Sequence, residues 1–341
     1  MRYVNIPWMI HLVVPGLLWP KDSIRDVTQG LELPALGALL GRGRREQGPA
    51  LAFERWQCEA FGVQAEELPI GALRLLGEGI DPGRDAWLCA DPVHLRFSRN
   101  TLVVAGGGEP DLSRQEADQL VAEMNAHLAG FGEFLAPHPQ RWYLRLKRTP
   151  RIVTQPRSAV TGRTLEPFLP QGDEAREWRR LINEAQVLLH NHPLNTAREA
   201  AGQPMANSLW PWGAGYLPAG AVAPARQVYA GQPLAHGLAK LAGVPAAATP
   251  ARAEDAVLHS LTFLETLGEA AQRLDGGAWR RGLEELEARW FAPSLAALRA
   301  RRMHGLRLTA LGDDAVVDIR LDAADLWRFW LRPKTLADLL K

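Results

Sequence analysis

Met9 to Val14 is an apolar run early in the chain, interrupted only by His11 and ended by Pro15-Gly16. A run this rich in branched residues predicts a strand buried on both faces, the pattern of a parallel sheet. Residues 33–43 follow with Pro34 at a helix start, apolar residues at 33, 36, 39 and 40, and Gly41 where a helix would close. Together they predict the first half of a βα unit. Residues 73–108 combine a turn at Asp81-Pro82-Gly83, two apolar stretches and a triple glycine, which predicts paired strands. Ser113 followed by Glu116 forms a capping box and opens a helix over 113–128. Residues 141–147 alternate as a half-buried strand, and 148–172 read as irregular.

Trp178, Leu181, Ile182, Ala185, Leu188 and Leu189 share one face of a helix over 172–190. A strand and glycine turn are expected over 206–215 and a short helix over 233–243. Two long helices follow at 254–273 and 276–300, the second interrupted by Pro293. Strands at 305–311 and 315–320 and a helix at 322–330 close the pattern. The aromatic stretch 325–331 is expected to pack into the core, with a lid or partner surface as the alternative. Neither an internal repeat nor a coiled-coil heptad run is found.

Length changes the picture first, because 341 residues exceed what one hydrophobic core usually serves, so two lobes are expected. The 39 Lys and Arg against 38 Asp and Glu supply no broad electrostatic footprint for nucleic acid or a membrane. Locally, the arginines of 41–47 read as a solvated loop. Cys58 and Cys89 show no metal-type spacing, so reduced cytoplasmic thiols are the expectation. The apolar segment 8–18 is too short to cross a bilayer and reads as a strand, not a targeting signal. The triple glycine at 106–108 lacks the frame of a dinucleotide-binding turn.

Polar chemistry is densest over residues 190–215. With a helix starting near Pro193, Asn195 and Arg198 fall on one side, where a guanidinium fork and an amide could hold a carboxylate or phosphate. The competing reading is structural, with His192 capping the preceding helix, Asn195 forming a local turn and Arg198 paired with an acid.

His192-Pro193, Asn195 and Arg198, then Ala206-Asn207 and a hydrophobic run ending Gly213-x-Gly215, resemble the archaeal-type cofactor-independent phosphoglycerate mutases. The upstream stretch 76–97 shares that resemblance. A nearer likeness, covering nearly the whole chain, is to a bacterial group labelled regulatory protein of the RpfE type, carried by residues 11–20, 169–195, 207–213 and 325–330. The resemblance implies an α/β fold, a doubly wound alkaline-phosphatase-like core of residues 1–84 and 206–341 with an inserted α+β cap domain over 85–205. It also implies, for the enzymes, a serine nucleophile and two divalent metals held by Asp and His.

This chain departs from that chemistry. Pro15-Gly16 stands where the first strand should end in an aspartate, and Thr309 to Asp314 lacks the late Asp-His pair. His304 is the last histidine, and residues 24–97 contain no serine. Asp275, Asp313 and Asp314 could hold Mg²⁺ weakly, although turn formation and capping are their usual roles. The expectation is therefore a catalytically silent regulatory or scaffold protein with no catalytic residue, cofactor or metal. A small anionic ligand would be held by His192, Asn195, Arg198, Asn207, Trp210, Gly213 and Gly215, and a protein partner is the other expected contact. The alternative is an active phosphoglycerate mutase, or a related phosphoryl transferase, with a rearranged site.

Overall fold

The computed structural model describes residues 9–98, 101–106, 110–328 and 330–339. Among them, the strands in chain order are β1 (Met9–Pro15), β2 (Arg44–Pro49), β3 (Ala86–Val93), β4 (Leu95–Ser98), β5 (Thr101–Val104), β6 (Glu133–His138) and β7 (Arg141–Leu146). They continue with β8 (Ser208–Tyr216), β9 (Gln227–Tyr229), β10 (Ala246–Ala247), β11 (Ser260–Phe263), β12 (Gly305–Leu311) and β13 (Ala315–Asp322). Contacts divide the chain into one unit of residues 1–56 with 222–341, and a second of 57–221.

The first unit is an α/β layer structure built on a sheet ordered β10-β9-β11-β1-β12-β13-β2. The five strands from β10 to β12 run parallel, and β13 is antiparallel to both its neighbours. Because β1 lies in the middle, both its faces are covered, and Leu12, Val13 and Val14 are fully buried. Leu12, Val14, Leu308 and Ala310 join one core with Leu36 and Leu39 of the helix Pro34–Arg42 and with Trp279 and Leu283 of the helix Gly276–Leu286. On the opposite face Phe263 meets Phe53 and Trp56 edge-on, with ring centres 5.6 and 6.1 Å apart.

Several expectations are corrected here. The helix expected over 254–273 is instead β11 with short turns of helix around it, and His259 enters the strand at φ +63°. β11 alternates Ser260, Leu261, Thr262 and Phe263 over only four residues, all buried, too short a stretch to outweigh the apolar residues around it, which made it look helical. The helix expected over 276–300 does not stop at Pro293. It passes through a π turn, Glu287–Phe291, into the helix Ala292–Arg299, and the shifted bonding accommodates a residue without an N–H. The basic stretch at 41–47 is largely strand, since β2 pairs with β13 along a fully exposed edge. The 322–330 helix is reduced to a 3₁₀ turn, Ala323–Trp327. Trp327 and Trp330 are 69% and 67% exposed, so they do not pack into the core as expected. Phe329 and two glycines of the triple glycine, Gly107 and Gly108, lie outside the described residues.

The second unit has an antiparallel sheet ordered β6-β7-β3-β8 and a separate β4-β5 hairpin. The helix Arg114–His127, with the expected capping box, and the amphipathic helix Ala175–His190 cover the sheet through Leu120, Met124, Trp178, Leu181 and Leu189. The expected domain boundaries at 84/85 and 205/206 move to 56/57 and 221/222. The reason is packing: β8 pairs along the whole of β3, and a Cβ on Gly71 of the helix Ile70–Gly77 would lie 2.7 Å from the backbone of Trp87. Segments on either side of the expected cap are thereby parts of its sheet layer.

Candidate functional site

The seven residues singled out in the sequence lie in the second unit, where their polar groups bind the chain itself. His192 caps the helix that follows it, Pro193–Ala200, its Nδ1 accepting from the Leu194 N–H at 3.2 Å. Asn195, fully buried, donates to the carbonyls of Leu189 and Ala206 at 2.7 and 2.9 Å and accepts from the Ala206 N–H. Arg198, also buried, donates to the Pro204 carbonyl at 2.9 Å and to Glu116 at 2.7 Å. Asn207 exchanges two hydrogen bonds with the backbone of Leu95, and the Trp210 indole donates to the Gln155 carbonyl.

Gly213 has φ +67°, and a Cβ there would lie 2.6 Å from the Cβ of Ile70. Gly215 is as close to Pro69. These glycines admit a neighbouring helix, not an anion. The Gly213 N–H donates to Glu67 and to the Thr154 hydroxyl. Burial raises the Glu67 carboxyl above its ordinary range, while bonds from Thr154 and Gly213 oppose that shift. The segment is a tie holding β8 and its flanking loops, which corrects the expected anion cradle.

Open α/β sheets place ligands outside the carboxyl ends of their parallel strands. At the centre, the ends of β1 and β12 are filled by the chain. Leu17, Leu18, Trp19, Leu267 and Trp279 are all buried, and the Trp279 indole donates to the Gly16 carbonyl at 2.7 Å. A Cβ on Gly16, whose φ is +76°, would sit 2.9 Å from both the Leu267 carbonyl oxygen and the Ala271 Cβ. Two of the three acids raised as a weak cation site, Asp275 and Asp314, are engaged by backbone N–H groups in different places. Asp275 caps the helix Gly276–Leu286, and Asp314 accepts from the Lys21 N–H at 3.0 Å. Among the described residues, no group of three or more His, Cys, Asp or Glu side chains could hold a metal ion.

Two helix N-termini in the first unit are taken by glutamates. Leu33 offers no capping oxygen to the helix Pro34–Arg42. Glu287, from the π turn, accepts instead from the Ala35 and Leu36 N–H groups at 2.6 and 3.0 Å. Glu265, just past the end of β11, accepts from the Gly231 N–H at 3.2 Å, before the helix Pro233–Leu241. Burial raises the Glu265 carboxyl. A helix N-terminus favours an anion, and here the anion is a side chain.

Beyond the ends of β9 and β11 there is space. A cavity of about 290 Å³ is walled by Phe263, Leu264, Leu286 and Trp290, with Glu265, Glu285 and Arg289 supplying charge. Arg289 and Glu285 pair at 2.8 Å.

The chain is similar to 2,3-bisphosphoglycerate-independent phosphoglycerate mutases. That of Methanosarcina barkeri is 32% identical over 123 residues, 35% of this chain and 30% of that protein. A probable one from Geobacter sulfurreducens is 30% identical over 129 residues, 37% of this chain and 32% of its own length. That of Methanosarcina mazei is 39% identical over 59 residues, 17% and 15% of the two chains. The match thus spans at most about a third of each of these relatives. No family model matches the chain. Among solved structures, the PH0037 protein from Pyrococcus horikoshii aligns over 94% of this chain and 88% of its own with a TM-score of 0.52 at 14% identity, a likeness of fold. A cofactor-independent phosphoglycerate mutase from Thermoplasma acidophilum aligns over 97% and 94% with a TM-score of 0.49 at 17% identity. The α/β fold with a central mixed sheet is the alkaline-phosphatase-like arrangement expected from the sequence.

Two positions bear on the two-metal chemistry implied by the resemblance. Pro15 ends β1 without a ligand atom, and Asp314 holds the Lys21 backbone.

One polar chain escaped the sequence reading. On β1, β12 and β13, His11 Nε2 lies 2.8 Å from the Thr309 hydroxyl, which donates to Asp318 at 2.9 Å, and Arg307 donates to the same carboxylate. The hydroxyl proton is thereby committed to Asp318, so His11 acts as donor, not as base. The signal was only a polar residue at matching positions of three strands. Burial, followed by the nearby Arg307 charge, lowers the His11 pKa to about 3. Neutral in the fold and titrating near 6.5 when unfolded, His11 costs stability as pH falls from about 6.5 towards 3, by up to about 1.4 kcal/mol per pH unit. Urea midpoints at pH 6.5 and 5 should therefore differ more for the wild type than for His11→Gln. Parallel behaviour of the two proteins would contradict the assignment.

Proposed function

We propose that this chain is a phosphoglycerate-mutase-like protein of the RpfE type that performs no phosphoryl transfer and acts as a regulatory or scaffold protein. The observation that carries this reading is the filled carboxyl edge of β1 and β12. Leu17, Leu18, Trp19, Leu267 and Trp279 occupy the central crevice where this class of sheet offers its ligand site. Regulation would then act through binding, to a protein partner or to a small ligand. No described helix is long and apolar enough to cross a membrane, and a cytoplasmic setting is part of the proposal.

The second reading, a mutase with a rearranged site, is favoured by the names of the sequence relatives. A coupled mutase assay with Mn²⁺, Mg²⁺ or Zn²⁺, run beside metal analysis of the purified protein, separates the two. The expected result is background turnover and far less than one metal per chain. Stoichiometric metal with turnover abolished by chelator would establish the second reading.

A further inference from the structure

The 290 Å³ cavity of the first unit points to a ligand that the mutase likeness does not suggest. We propose that it takes a small primary amine with an apolar or single-ring body. Its volume sits at the lower end of small-molecule sites, which run from about 300 Å³ upward. Leu264, Leu286 and Trp290 are buried side chains that line the apolar wall.

Charge decides the polar end. Two carboxylates line the cavity, Glu265 and Glu285, against one guanidinium, and Arg289 is already paired with Glu285 at 2.8 Å. Glu54, on the helix Phe53–Ala60, adds a negative field at Glu265. Glu265 is fixed by the Gly231 N–H and by the backbone and side chain of Gln232, and burial disfavours its charge more than these bonds favour it. An ammonium beside it would offset the hydration that burial removed, whereas an anion would meet Glu265 and the field of Glu54. The π turn contributes Arg289 and Trp290 to the wall, so an irregularity in the helix shapes the cavity. The inference does not rest on the absence of turnover, because an active transferase could carry the same pocket.

Calorimetric titration of the full chain with 2-phenylethylamine, 2-phenylethanol and 3-phenylpropionate tests it. The amine should bind about 10-fold more tightly than the alcohol, the difference between a charge-assisted and a neutral hydrogen bond, and the carboxylate more weakly still. Glu265→Gln, which keeps an acceptor for the Gly231 N–H, should bring the amine down to the affinity of the alcohol. Should that variant not fold, Glu285→Gln at the exposed rim should weaken the amine by about 2-fold, as an exposed charge does. Equal binding of the three probes, preference for the carboxylate, or no heat from any probe up to about 10 mM overturns the proposal.

Discussion

Arg74→Ala should lower the stability of the second unit by about 3–5 kcal/mol, the usual cost of leaving one member of a buried ion pair alone. Arg74, on the helix Ile70–Gly77, grips Asp91 of β3 with both terminal nitrogens at 2.8 and 2.6 Å. Its Nε donates to the Tyr143 hydroxyl at 2.9 Å, and its guanidinium lies over the Tyr143 and Trp212 rings. The two side chains are 9% and 1% exposed, so water cannot replace the lost partner. Desolvation pushes the Asp91 carboxyl upward, and the Arg74 charge overcomes it to hold the pKa below the ordinary value.

Without Arg74, the carboxyl must take up a proton or remain charged in an apolar layer. The penalty should therefore shrink as pH falls towards 4, because the protonated acid carries no charge to strand. Replacing both members, Arg74→Met with Asp91→Leu, should recover much of the loss, since the apolar pair demands no desolvation of charge. Urea denaturation of the three proteins at pH 7 and pH 5 measures all of this. A loss below about 1 kcal/mol for Arg74→Ala would mean that the pair is no stronger than a surface one.

Glu287→Ala should cost about 3 kcal/mol in the first unit, from two charge-assisted bonds whose donors are then buried without partners. The carboxylate bridges the π turn to the first N–H groups of the helix Pro34–Arg42, across more than 250 residues of chain. Proline at the first position has no N–H, and Leu33 cannot cap, so nothing local substitutes. Glu287→Gln retains one acceptor and should lose about half as much, which separates hydrogen bonding from packing. Thermal unfolding checks it, and equal loss for both variants would assign the effect to packing instead.

Much of the fold was legible along the chain. Apolar runs marked β1, β8, β12 and β13, and the capping box at Ser113 and the stripe from Trp178 to Leu189 marked two helices correctly. These signals are local, since a residue's neighbours at period 2 or 3.6 decide whether one face can be buried. β11 was missed because four residues are too few to display a period. The exposure of Trp327 and Trp330 was missed because composition records how apolar a residue is and not whether anything covers it.

The candidate site divides along the same line. From the sequence alone came the lack of an aspartate at the end of β1 and of a histidine after His304, and with it the expectation of a departure from two-metal chemistry. It also marked 190–215 as unusual, because polar, aromatic and glycine residues cluster there. Only the tertiary structure decided that Asn195, Arg198 and Asn207 bond to the backbone of Leu189, Ala206, Pro204 and Leu95 and to Glu116, and that Glu265 and Glu287 occupy helix N-termini, the first 34 residues away from the N–H it accepts from and the second 252. The physical reason is that a polar side chain shows its chemistry in one letter, whereas the partner that satisfies it is set by packing between distant segments.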